Sequence, residues 1–338
     1  VSNAVGANGS GNVLLQAQAG ALAVNAAVNS GSGHISVLSS GAQTYGASGD
    51  IATGSRVVGA DTVRGTVDIE ASASVTMDAG TAFTTDGGNI RITAAGAASD
   101  ITLGDVAVAS GSAAIMAGRS ILDADALAGT PLANDSDLDI TASSVRLTAA
   151  GAVGVLGESA NAIETEVVTL AAAAAAGGIN VLDASALTIG AVSSVVVNRV
   201  AGSGEVSAVP TPAESTLQGL STAASGDIAV EAGGASASMS ILADVRSASG
   251  RITARASDSI QIGSPSTPGI QVSPGASSGT ALEWVAGGQI VIDPSASLSG
   301  AGMQNPLAVP KVVFRPATPG RDLVIRDQPV TGSGTALQ

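Results

Sequence analysis

The chain has 338 residues, of which 45% are apolar, 1% aromatic and 12% charged, with 44 glycines, no cysteine and a formal net charge of −14. The missing cysteines exclude disulfides, thiolate metal sites and thiol catalysis. Thirteen basic residues, with Lys311 the single lysine and no cluster among the arginines, exclude the basic surface that nucleic-acid binding requires.

A positive mean hydropathy with so few charges is the reverse of the disorder signature. The apolar content is carried by Ala, Val, Ile and Leu, which suits a thin core repeated many times and not one thick core filled by aromatics. No apolar run is long enough to span a bilayer. The chain opens Val1-Ser2-Asn3, without a leader, and closes in a Gly/Ser-rich turn at Thr331 to Gln338. Both ends therefore read as cuts in a longer polypeptide.

From the N-terminus, a phrase of glycine, polar residue, aliphatic, any residue, aliphatic appears as GNVLL from Gly11 and GHISV from Gly33. Each copy is followed by a second short alternating run, such as Leu22/Val24 after Val13/Leu15. Alternation over three to five positions marks a strand with one buried face, and the Gly, Ser, Asn and Asp clusters between runs are turn formers. His34, the only histidine, sits inside the phrase with no partner His or Cys, so it reads as a structural residue. The repeat is interrupted at 41–64 and resumes as GTVDI from Gly65 and GNIRI from Gly88, followed by Ile101/Leu103 and Val106/Val108.

A second interruption covers 119–137. It places Asp123 and Asp125 near Asp135, Asp137 and Asp139. Paired carboxylates serve glycosidic chemistry, but the strand faces lack the Arg, Lys, His and aromatics that line sugar clefts, and Asp is also an ordinary turn residue. Asp135, Asp137 and Asp139, at alternate positions, are the candidate Ca2+ ligands; they lack the glycine and closing glutamate of an EF-hand loop. No other cofactor is expected. The Ala171–Ala176 tract is a candidate helical turn, but Val167/Thr169 before it and Ile179/Val181 after it favour strand.

A third interruption at 202–225 carries Pro210 and Pro212; GDIAV from Gly226 and GRITA from Gly250 follow, then a fourth at 263–280 with Pro265, Pro268 and Pro274. Proline cannot donate to a ladder, so these stretches read as excursions. GQIVI from Gly288 is the last copy. Trp284 and Phe314 read as filling for a coil interior or cover for a stack end. Residues 1–300 thus form one repeat region, and 301–338, with five prolines between Pro306 and Pro329, a variant coil or a junction to a further module.

Neighbouring copies start 22 to 24 residues apart (Gly11 to Gly33, Gly65 to Gly88, Gly226 to Gly250). Three short strands and three turns in that length describe one coil of a parallel β-helix solenoid, an all-β fold in which coils stack about 4.8 Å apart. About a dozen coils would give a rod on the order of 60 Å. An antiparallel sandwich would need more hairpin turns than Asn8-Gly9 and Asp86-Gly87, and more aromatics.

The stretches GNVLLQAQAGALAVNAAVNSGSGHISV, GGNIRITAAGAASDITLGDVAVASG and GDIAVEAGG resemble the filamentous-haemagglutinin-like exoproteins, and more broadly the large β-strand-repeat surface proteins of bacteria. The likeness runs from about Gly11 to Asp293 and is one of pattern and composition. It implies a right-handed parallel β-helix, export to the bacterial cell surface, and a part in adhesion, biofilm or cell-to-cell contact, with no catalytic residue carried over. The expected function is a structural or adhesive stalk, not an enzyme. Expected partners are neighbouring repeats, other copies end to end, or host-cell and matrix glycans, with no nucleic acid and no membrane insertion. The alternative is a carbohydrate-binding or carbohydrate-cleaving β-helix with its site at an interruption, which convergence of the aspartates in a cleft would favour.

Overall fold

The computed structural model describes residues 1–125, 137–157, 161–210, 215–299 and 311–317, and the backbone of 324–327. Every regular element among them is a β-strand. The strands wind in coils with three faces, and equivalent strands of successive coils pair in parallel. On the first face the ladder passes through Val13–Ala17, Ile35–Ser39, Val67–Ala71, Ile90–Ala94, Ser112–Ala117 and the C-terminal halves of Ile140–Ala149 and Ile163–Ala174. It continues through Leu220–Thr222, Val245–Ser247, Gln271–Ser273 and Ser297–Leu298, eleven levels in all. At the ladder spacing, eleven levels make a stack of about 50 Å. The second face starts at Leu22–Val24 and reaches Ile121–Asp123, crosses by single bridges at Val153 to Ile179–Asp183, and goes on to Lys311–Pro316. The third starts at Val5–Ala7 and ends at Val324–Asp327. The Ala171–Ala176 tract is strand as far as Ala174, within Ile163–Ala174.

The five-residue phrase has a physical reason at each position. Its glycines stack directly: a Cβ on Gly111 would stand 2.6 Å from the Gly88 carbonyl oxygen, and Gly33, Gly65 and Gly88 abut the carbonyl of the glycine one coil before. Only a residue without a side chain lets backbones meet there. The polar residue after the glycine accepts a hydrogen bond from the equivalent N–H one coil on. Asn12 Oδ1 takes the His34 N–H (2.8 Å), His34 Nδ1 the Thr66 N–H (3.2 Å), Asn89 Oδ1 the Ser112 N–H (2.9 Å) and Asp227 Oδ1 the Arg251 N–H (2.7 Å). His34 is therefore a corner acceptor, and burial lowers its pKa in keeping with a neutral ring. The aliphatic residues point inward and stack into columns such as Ile35, Val67 and Ile90, all fully buried. Each such side chain contributes roughly 1.5–3 kcal/mol.

The few large side chains fill the interior. Tyr45 and Phe83 meet edge to face at 4.7 Å, and Trp284, fully buried, lies 5.3 Å from Phe314. Tyr45 donates its hydroxyl to Gln43 Oε1, and the Gln43 amide is satisfied by the carbonyls of Val37 and Glu70.

Two of the departures from the stack are narrower than the interruptions in the repeat. Within 41–64, Gln43–Tyr45 and Ile51–Thr53 keep their ladder places, and only the antiparallel hairpin Ser55–Val58/Asp61–Arg64 leaves. Within 263–280, Gln271–Ser273 stays in register. Lys311–Pro316 and Val324–Asp327 extend the second and third faces, so the proline-rich end contributes ladder strands.

The largest departure starts earlier than expected, at Ala191, and lasts to Gln218. Ala191–Val192 pairs with Leu217–Gln218, and Val196–Val200 with Val206–Pro210, both antiparallel. This hairpin folds back over the outer surface of the first face as a strap. Asn89 Nδ2 donates to the Val196 carbonyl (2.8 Å), the Asn198 N–H to Thr66 Oγ1 (2.8 Å) and the Val200 N–H to Ser36 Oγ (2.9 Å). Two strap residues pass per coil, about 6.7 Å of extended chain for about 4.8 Å of rise, so the crossing is oblique. Beneath it the outward residues Ser36, Asp68, Arg91, Ala114, Arg146 and Ala171 are at most 5% exposed, and Val195, Val197 and Val200 of the strap are buried.

Candidate functional site

The second face ends its fifth coil at Asp123, in ladder register with Leu103. An aspartate thus occupies a column that the coils before it fill with Tyr45, Met77 and Leu103. After 126–136, which lie outside the described residues and include the candidate ligand Asp135, the chain returns through Asp139 to open the third face at Ile140. One coil on, Val155 and Asn161 bridge across the same corner.

Carboxylate oxygens of Asp123, Asp125 and Asp139 lie within 4.8 Å of one another. Asp123 Oδ1 accepts the Asp125 N–H (3.1 Å), Asp123 Oδ2 the Asn161 amide (2.9 Å) and Asp139 Oδ2 the Glu164 N–H (2.8 Å). Asp123 and Asp139 are 7% and 5% exposed, and Glu164 1%. Burial, followed by the charge of Asp123, pushes the Asp139 carboxyl far above the usual carboxylate range; the Glu164 N–H opposes this and the Glu164 charge adds to it. Nearby, Asp105 is raised by burial and by Asp137 and Asp50, so the negative field extends along this corner.

The structure therefore joins candidates from two groups and separates others. Asp139 meets Asp123 and Asp125, while Asp137 is exposed and accepts the Leu138 N–H, and Asp135 lies outside the described residues. The convergence matches the carboxylate separation of retaining glycosidases, about 5 Å. A groove of about 360 Å³ beside the strap has Glu70 as its single carboxylate, which is already ion-paired.

Asn161 and Glu164 were not singled out by sequence, since nothing in a lone Asn or Glu marks a corner position. Nor was the ionic cluster under the strap. Asp68, fully buried, accepts on Oδ1 from Arg91 Nε (2.9 Å) and Nη2 (2.6 Å), and on Oδ2 from Arg199 Nε (2.7 Å); Glu70 Oε2 accepts from Arg91 (2.7 Å) and Arg199 (2.5 Å). Two cations and two anions balance, which is the condition for charges to remain buried.

Fold and geometry define the chain as a parallel β-solenoid with an external strap and one buried carboxylate corner. No protein-family model, curated protein or solved structure matches it.

Proposed function

We propose that the chain is a structural and adhesive segment of a large secreted bacterial surface protein, a rod-like stalk or fibre-forming scaffold that acts outside the cell. The observation that carries this reading is the unbroken parallel ladder on the first face, from Val13–Ala17 to Ser297–Leu298. Its backbone hydrogen bonds run along the stack, so a pull along the axis loads many bonds at once. The resemblance of its repeats to filamentous-haemagglutinin-like exoproteins supports export and adhesion. The thin aliphatic core suits a part that provides reach, and the acidic, sparsely charged surface limits non-specific sticking to anionic envelopes.

Electron microscopy of the purified chain, joined to adhesion of chain-coated beads to glycan and matrix arrays, tests the reading. A thin rod that retains beads on one class of surface supports it. A compact particle, or cleavage of arrayed polysaccharide, overturns it and moves the chain to the carbohydrate-active alternative.

A further inference from the structure

We propose that Asp123, Asp125, Asp139 and the side-chain oxygen of Asn161 form a Ca2+ site that ties two successive coils together at the corner between the second and third faces. Aspartates alone would not carry this, because Asp and Asn serve as corner acceptors throughout the chain. Asn161 sets this corner apart. It is 7% exposed, its amide is seated at Asp123 through Nδ2, and its Oδ1 is buried and receives no hydrogen bond from the described residues. A carboxamide oxygen removed from water without a donor bears its whole desolvation cost, and a cation among the neighbouring carboxylates would relieve it.

Asp183 shows the contrasting arrangement close by. It too is fully buried, but its carboxylate accepts from the Thr165 hydroxyl, the Val167 N–H, and the N–H and hydroxyl of Ser185, at 2.8 to 2.9 Å. Donors there meet the needs of a structural aspartate. At the Asp123 corner, Asp123 accepts the Asp125 N–H and the Asn161 amide and Asp139 the Glu164 N–H, and neither Asp123 nor Asp139 pairs with an arginine among the described residues.

The donor set is all oxygen, which selects a hard cation. Ca2+ binds oxygens at about 2.3–2.6 Å, so opposite ligands stand about 5 Å apart; Mg2+ needs about 2.0–2.1 Å and a stricter octahedron. The oxygens within 4.8 Å of one another fit the larger ion without closing up. The ligands come from three separate stretches of chain, Asp123 with Asp125, Asp139, and Asn161, so the ion would fasten these stretches together.

The test is calorimetric titration of CaCl2 into the full chain after chelator treatment, with thermal melts in chelator and in millimolar Ca2+. The expected result is one Ca2+ per chain, a higher melting temperature with Ca2+, and Mg2+ weaker by at least about tenfold. Asp139→Asn keeps the size and shape of the side chain, so it folds in chelator as the parent chain does, and its Ca2+ affinity falls at least about tenfold. Asn161→Ala gives the same loss and stands in if Asp139→Asn does not fold. A cooperatively melting parent chain that shows neither binding heat nor a shifted melt in millimolar Ca2+ overturns the proposal. So do variants that bind as the parent does, and equal affinity for Mg2+ overturns the choice of Ca2+.

Discussion

Arg199→Ala tests whether the strap is held by its ionic cluster. The substitution removes the donor of Asp68 Oδ2 and leaves one guanidinium, Arg91, to face two carboxylates. Losing a partner of a buried ion pair costs about 3–5 kcal/mol when the remaining charge is stranded. Arg91 still bonds Asp68 Oδ1 twice, and the Arg199 side chain is itself 26% exposed, so about 2–3 kcal/mol is the appropriate scale. The cost falls on strap docking and not on the ladder. Hydrogen exchange at the Asn198 and Val200 N–H groups, which bond to Thr66 and Ser36, should therefore quicken by roughly 30- to 200-fold, while amides in Ile90–Ala94 keep their protection. Arg246→Ala, which breaks a half-exposed pair with Asp244, is the control and should cost less than about 1 kcal/mol. Unchanged exchange at Asn198 and Val200 in Arg199→Ala would refute the argument.

The same cluster gives the strap a pH limit. Burial raises the Glu70 carboxyl, but hydrogen bonds from Arg199 and Arg91 and their charges outweigh it and hold Glu70 below its ordinary value. A carboxylate lowered on folding stabilises above its unfolded pKa and loses that contribution as pH falls through the folded one. Strap protection factors, corrected for the intrinsic pH dependence of amide exchange, should thus stay flat from pH 6 downward and fall below about pH 4. Gly111→Ala puts a methyl 2.6 Å from the Gly88 carbonyl oxygen and 3.0 Å from that of Gly87; denaturant melts should show a loss of about 1–3 kcal/mol, whereas Gly6→Ala, with no atom within 4 Å of its Cβ, should be near neutral. Phe83→Ala empties a fully buried site against the Tyr45 ring and should cost about 3–5 kcal/mol by the same assay.

Much of the architecture was legible from short-range pattern. The period-two runs Val13/Leu15, Ile90/Ile92 and Ile228/Val230 are all strands with those residues turned inward. Which face each strand joins was not legible. The copies at Gly11, Gly33, Gly65 and Gly88 open the first face, those at Gly226 and Gly250 the second, and that at Gly288 the third. The glycine packing and polar cap work at any corner, so the phrase reports a corner without its place in the coil. The strap was invisible for a different reason: Arg199 and Asp68 are 131 residues apart, and no local periodicity links them. At the carboxylate corner, spacing pointed to Asp137, two residues from Asp139, but Asp137 lies before the strand Ile140–Ala149 begins, where the period-two alternation of a strand does not hold. Asp139 faces in and Asp137 out, and the partner Asp123 comes from the other side of the turn.

The strap also measures the rod. It is anchored where it leaves, beside Ile163–Ala174, and again at Ser36, Thr66 and Asn89, several coils away. Deleting or duplicating one coil between those anchors would slide every contact by about 4.8 Å and set Arg199 opposite the wrong level. Coils added before Ile35 or after Leu220 disturb none of them. A lineage that changes length by gaining or losing repeats can therefore do so freely at the flanks, while the number of coils under the strap stays constant.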